Sequence, residues 1–191
     1  MDAILLDKLE MYGLRGKSLN LIRSYLENRQ QCAKIKYALS DGECFSDYRS
    51  IDAGVPQGSV HESLLFTVYI NDFPNVSTNF KSILFADDTT LVAAGSNFNS
   101  LVDELTVELD KVSAWSHANK LAPNSNKTSA MIFSNRFSDV DIDRRLNVNF
   151  VSVDYSDCHK FLGILVDNKL KFKNHIELIC NKFIQICWYY L

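Results

Sequence analysis

At 191 residues, 47% of them hydrophobic, the chain has the size of one domain, or of a domain with an appendage, and can bury a sizeable core. Twelve Phe and eight Tyr argue against a disordered chain, and a net charge of −3 does not resemble that of a simple nucleic-acid binder. Five cysteines, odd in number and without a C-x-x-C pair, read as reduced thiols of an intracellular protein, cytoplasmic or nuclear. No apolar run is long enough to cross a bilayer, and Met1-Asp2-Ala3 does not open a secretory signal, so no membrane partner is expected.

Ile4, Leu5, Leu9 and Tyr12 recur at helical spacing, with Gly13 as the stop. Leu19, Leu21, Ile22, Tyr25 and Leu26 form a second helical stripe, with Lys17, Arg23 and Arg29 on its exposed side. Gln31 to Tyr37 and Cys44 to Ile51 read as paired strands joined around Asp41-Gly42. Gly54 to Ser59 is a loop by composition, because Pro56 excludes a regular helix and glycines allow close approach of another backbone or a base. The same glycines also suit a plain turn. A helix is expected from Ser63 to Asn71.

Ile83 to Ala94 is the centre of the chain. Two apolar, β-prone runs flank Asp87-Asp88, which reads as a hairpin of buried strands with acids at its tip. Adjacent carboxylates repel unless a cation neutralises them, and hard cations such as magnesium seek oxygen-rich clusters. An ordinary Asx turn is the plainer alternative. A long helix follows from about Asn99 to Asn119, with a stripe of Phe98, Leu101, Val102, Leu105, Leu109 and Val112 and a capping box at Ser100 to Asp103. Ala130 to Ser134, Leu146 to Val153 and Lys160 to Asp167 are three further strand candidates, and Asp139 to Arg145 is a charged connection. From Phe172 onward, Ile176, Ile179, Cys180, Phe183, Ile184 and Cys187 mark an amphipathic helix.

Charge is unevenly spread. Residues 1–50 hold eight basic and seven acidic side chains, residues 51–110 one and nine, and residues 111–191 eleven and seven. An acidic middle between neutral and basic flanks suits a metal site between backbone-contacting parts, and a solvated surface as well. Lys160, Lys169, Lys171, Lys173 and Lys182 fit phosphate contacts and an ordinary helix face equally. His117, His159 and His175 are not spaced as a zinc site with the cysteines.

Phe85-Ala86-Asp87-Asp88 resembles the [FY]-A-D-D signature of reverse transcriptases from non-long-terminal-repeat retrotransposons of the LINE-type, jockey-like class. Upstream, Ala53 to Ser59, Leu64-Leu65-Phe66 and Tyr69-Ile70-Asn71-Asp72 resemble the preceding block. Downstream, Trp115 and Asn119 to Thr128 resemble the next, and Phe161-Leu162-Gly163-Ile164 with Asp167 the one after. The four blocks keep the family's order.

The resemblance implies an α+β fold: a polymerase palm-type antiparallel sheet with helices packed on one face and the N-terminal fingers missing. Residues 1–155 would be a partial palm, and 156–191 its end with the first helix of the thumb. It implies metal-dependent nucleotidyl transfer to a primer 3′-hydroxyl, with an RNA template, a DNA primer, deoxynucleotides, and Mg2+ or Mn2+. Asp87 and Asp88 match the metal-binding, catalytic pair. Lys127 matches a lysine near the leaving pyrophosphate, although a surface lysine is as good a reading without the match. Pro56, Gln57, Gly58 and Ser59 match the segment that positions template and nucleotide, and Phe161, Leu162 and Gly163 the primer grip; without the family these last three read as core strand. His61-Glu62-Ser63 stands where the family usually has Leu-Gly-Pro, which places a charge beside the template loop. Met1 to Leu9 resembles the stretch just after the family's first catalytic aspartate, so that acid is expected upstream, in a missing N-terminal segment of a longer polyprotein. A non-catalytic RNA- or protein-binding palm remnant is the alternative function, and an inert, unexpressed copy a third.

Overall fold

The structure is a computed structural model. It describes residues 2–36, 42–51, 54, 58–135, 140–148 and 151–189, with only the backbone described for Asp2 and for 185–189. Tyr37, Asp41, Ala53, Val55, Pro56, Gln57 and Asp139, and the side chain of Cys187, lie outside the described residues. Two compact units make up the chain: Met1–Leu91 with Ala118–Lys120, and Val92–His117 with Leu121–Leu191. Helices and strands are mixed, and the described strands pair as five separate two-stranded ladders.

In the first unit, helix α1 (Asp2–Met11) packs on α2 (Lys17–Leu26) and on α3 (Glu62–Ile70). Leu5, Leu6, Leu9, Leu19, Leu26, Leu65, Tyr69 and Phe73 are the buried apolar core. Gly13, at φ 91°, ends α1 as expected. Its N–H donates to the Glu10 carbonyl and that of Leu14 to the Leu9 carbonyl, the paired bonds of a Schellman cap. Leu21 departs from the expected stripe: it is 68% exposed, because the buried line of α2 runs through Leu19 and Leu26, seven residues apart.

Helix α3 is pinned to α1 by polar contacts. The Lys8 ammonium donates to the Tyr69 carbonyl and to Asp72 Oδ1, both at 2.6 Å. Asn71 Nδ2 donates to the Tyr12 hydroxyl at 2.6 Å, and the Tyr69 hydroxyl donates to the Asn119 carbonyl.

The expected hairpin over Gln31 to Ile51 forms, but in two pieces. Strand β1 (Gln30–Gln31) pairs with β4 (Arg49–Ser50), and β2 (Lys34–Lys36) with β3 (Glu43–Phe45), all antiparallel and exposed. Between the pieces, the Ser46 N–H donates to the Ala33 carbonyl and the Ala33 N–H donates to Ser46 Oγ, so a side chain interrupts the ladder.

In the second unit, α4 (Phe98–Ala118) buries Val102, Leu109 and Val112. Its cap is Asn97 rather than Ser100: Asn97 Oδ1 accepts the Ser100 N–H at 3.0 Å, while Asp103 pairs with Arg144. Two expected strands are hairpins instead. Leu146 to Val153 is β7 (Leu146–Val148) paired with β8 (Val151–Val153). Lys160 to Asp167 folds with Cys158 into β9 (Cys158–Phe161) and β10 (Ile164–Asp167), because Leu162 and Gly163 both take positive φ, 46° and 90°. Ala130 to Ser134 contributes only a bridge from Ala130 to Tyr155. Helix α5 (Lys173–Tyr189) closes the described chain with Ile176, Phe183 and Ile184 exposed.

Candidate active site and template loop

Strands β5 (Lys81–Phe85) and β6 (Asp88–Val92) pair across a two-residue turn, Ala86-Asp87. A connection that short joins only antiparallel strands. Asp87 therefore sits in the turn and Asp88 opens the returning strand, both exposed, as the flanking apolar runs predict. The walls differ from expectation: Ile83 is 39% and Phe85 60% exposed, so this ladder is not a buried one. Ala86 holds φ 49°, a left-handed conformation that costs a non-glycine residue roughly 1–2 kcal/mol. Beside the turn, Leu84 and Ala86 line an open groove of about 110 Å³ with Phe66, Thr67 and Ile70 of α3 and with Asn71 just after it. Helix α3, nine residues and so about 13 Å long, thus joins the acidic turn at its C-terminal half to the glycine loop at its start.

That loop is held at both ends. Gly54 and Gly58 have φ 90° and 78°, conformations open to glycine. Arg29 lies beyond the end of α2 rather than on its exposed side. Its Nε donates to the Leu26 carbonyl at 2.9 Å, and its terminal nitrogen donates to the Gly54 carbonyl. The Gly58 N–H donates to Glu62 Oε2 at 2.6 Å. Tyr25 of α2 meets His61 edge-to-face at 6.0 Å. The hydroxyls of Tyr25 and Ser59 are buried without a hydrogen-bond partner among the described residues. Sequence reasoning missed Arg29 and the bond made by Glu62; the signal available was a charge of each sign on either side of a glycine-bounded loop.

Lys127 and Phe161, Leu162 and Gly163, the residues expected to form a primer grip, belong to the second unit. Lys127 ends a short 3-10 turn, Ser125–Lys127, and is exposed. The strand of chain after it is fixed: the Ala130 N–H donates to the Asp154 carbonyl, the Ser156 N–H donates to the Ala130 carbonyl, and Ser129 Oγ lies 2.8 Å from His159 Nδ1. His159 is on β9, whose last residue is Phe161, and Leu162-Gly163 forms the turn. The lysine segment and the expected primer grip are therefore tied together through His159, which sequence reasoning did not single out for this.

Among the described residues, Asp167 and Tyr155 have displaced proton affinities. The Asp167 carboxylate accepts the N–H groups of Lys169, Lys171 and Phe172 at 3.1, 3.1 and 2.5 Å. Those bonds, that from Lys171 foremost, hold its pKa below the ordinary 3.8. Burial raises that of Tyr155, whose hydroxyl donates to the Arg144 carbonyl at 2.8 Å. Among the described residues no group of three His, Cys, Asp or Glu side chains could hold a metal ion, and no helix is long and apolar enough to cross a membrane. Asp87 and Asp88 offer the hard oxygens that magnesium prefers, but only two donors.

Residues 3–166 match the family described as reverse transcriptase (RNA-dependent DNA polymerase). The chain is 26% identical over 177 residues to the RNA-directed DNA polymerase from mobile element jockey of Drosophila funebris, covering 89% of the chain and 18% of that protein. It is 30% identical over 164 residues to the probable RNA-directed DNA polymerase from transposon X-element of Drosophila melanogaster, covering 82% of the chain and 17% of that protein. A Pol polyprotein of the type-1 retrotransposable element R1 from Bradysia coprophila is 25% identical over 139 residues, 71% of the chain and 14% of that protein. The chain thus spans under a fifth of the length of these relatives. No solved structure gives a significant match. A match running through the glycine loop, the acidic turn and the Leu162-Gly163 hairpin indicates a palm-type polymerase fold, and this chain belongs to the reverse transcriptase family, with the polymerases of jockey-type mobile elements among its relatives.

Proposed function

We propose that residues 1–191 are the palm segment of a retrotransposon reverse transcriptase, with the start of its thumb, working in RNA-templated addition of deoxynucleotides to a DNA primer. The observation that carries this reading is the Ala86-Asp87 turn, which presents two consecutive exposed acids inside the family match. Phosphoryl transfer of this kind is governed by positioning and charge neutralisation. Asp87 and Asp88 are the carboxylates proposed to hold Mg2+ or Mn2+. A divalent ion held by these two side chains would supply charge neutralisation at the attacking and leaving oxygens. Lys127 supplies positive charge or a proton to the departing pyrophosphate. Pro56, Gln57, Gly58 and Ser59 position template and nucleotide, and Phe161, Leu162 and Gly163 hold the primer end.

Two donors leave a magnesium ion mostly hydrated and weakly bound. The reading therefore includes a further carboxylate from sequence upstream of these residues, together with the fingers and the rest of the palm sheet. On its own the chain is expected to bind RNA and to polymerise poorly. Manganese titration followed by electron paramagnetic resonance tests the metal assignment. Weak binding by the chain, lost in the Asp87→Asn, Asp88→Asn double variant, is the expected result. Binding unchanged in the double variant would move the metal site elsewhere and favour a non-catalytic RNA-binding palm.

A further inference from the structure

The Gly54–Ser59 loop is anchored by two charged side chains that no motif match assigns. Before the loop, the Arg29 guanidinium bridges two carbonyls, donating through Nε to Leu26 at the end of α2 and through its terminal nitrogen to Gly54. The backbone beside it is pinned too, because the Ile51 N–H donates to the Arg29 carbonyl at 2.9 Å. After the loop, the Glu62 carboxylate on the first turn of α3 turns back to accept the Gly58 N–H at 2.6 Å. Both anchored residues are glycines with positive φ, and a Cβ at either would meet nothing within 4 Å. Their need for glycine is conformational, so it is the side-chain bonds that fix where the loop begins and ends. A planar guanidinium fork holds two acceptors at a set geometry, which a lysine ammonium does not reproduce.

We propose that Arg29 and Glu62 are positioning residues, a polar clamp of opposite charges that sets the two ends of the template loop and through it the fit of the template strand. This rests on the reading of the loop as template-contacting. It gives the departure from Leu-Gly-Pro at His61-Glu62-Ser63 a role: the added acid replaces rigidity lost with the proline by a charge-assisted bond to the loop.

The test uses the 191-residue chain and its Arg29→Lys, Glu62→Ala and Glu62→Gln variants. Amide hydrogen exchange is read over Gly54 to Ser59, and binding of a fluorescein-labelled single-stranded RNA is read by anisotropy, with circular dichroism reporting the fold. In Glu62→Ala the Gly58 amide is expected to exchange at least about tenfold faster, as for loss of a charge-assisted bond. Glu62→Gln, which keeps an oxygen acceptor, recovers most of that protection. Arg29→Lys keeps the charge but loses the fork; it is expected to loosen the loop and weaken RNA binding several-fold with the melting temperature nearly unchanged. A purely electrostatic role predicts unchanged RNA binding in Arg29→Lys and would overturn the clamp if loop exchange is unchanged as well. Faster loop exchange with unaltered RNA affinity would leave the clamp standing and overturn the template role of the loop.

Discussion

Lys8→Met separates scaffold from chemistry inside the Tyr69-Ile70-Asn71-Asp72 block. The methionine keeps the apolar stem but removes the ammonium that bonds the Tyr69 carbonyl and Asp72. The Lys8 side chain is 13% exposed and that of Asp72 44%, so the ion pair itself contributes at the surface scale, about 0–1 kcal/mol. The bond to the carbonyl of buried Tyr69 is worth more, about 1.5–3 kcal/mol, because a charged donor is lost from a carbonyl shielded from water. A cation over the Tyr69 ring at 5.0 Å adds to the loss. The expected total is about 2–4 kcal/mol, or a fall of roughly 4–16 °C in melting temperature for a chain of this size. Thermal denaturation followed by circular dichroism reads it, and RNA and manganese affinities measured well below the transition should be unchanged. A fall under about 1 °C, or intact stability with weakened metal binding, would refute the structural assignment of Lys8 and Asp72.

Three further outcomes follow from backbone and proton positions. Ala86→Val should destabilise the Asp87 turn by about 1–2 kcal/mol, because a β-branched residue fits φ 49° poorly; a neutral result in thermal melts would mean the turn is not left-handed. Lys120→Gly should stabilise by about 0.5–1 kcal/mol in urea titration: Lys120 has φ 52° at the end of α4, where the Leu121 N–H donates to the Ser116 carbonyl in the bond pattern that favours glycine. Asp167, its pKa lowered by backbone donors, contributes stability that is fully present above pH 3.8 and lost as pH falls through its lower folded value. Helix content on acid titration should show that loss, and Asp167→Ala should remove the corresponding part of the acid transition.

Much of the site was legible because its chemistry is local. Two β-prone runs around two aspartates dictate a turn, and Gly13 after an apolar stripe dictates a helix stop; both formed as read. The errors have physical causes. Lys160 to Asp167 reads as a single strand because Leu-Gly is a weak turn signal beside Asn-Gly, although Leu162 takes positive φ all the same, and Leu146 to Val153 reads as one because it carries no glycine or proline to mark a turn. The β-prone run at Ile83 suggests a buried strand, but composition reports only the preference for strand, and a two-stranded ladder leaves its faces half open. Ser100 looked like a helix cap because the box pattern is short, and Asn97, with the same chemistry one turn earlier, took the position. Arg29 and Glu62 were invisible as partners of the loop, since a side chain's choice of a distant carbonyl is set by tertiary structure.

The central claim, that Asp87 and Asp88 serve nucleotidyl transfer with a carboxylate from upstream sequence, is tested most directly by primer extension on an RNA template with magnesium or manganese. The 191-residue chain is compared with a version extended by upstream sequence, each with and without Asp87→Ala. The account predicts extension by the longer version only. Asp87→Ala should lower it by at least about a hundred- to a thousandfold, the scale of one lost preorganised electrostatic contact. Equal extension by the two lengths, abolished by Asp87→Ala, would place all the needed carboxylates within these 191 residues, and activity indifferent to Asp87→Ala would contradict the assignment of the acidic turn.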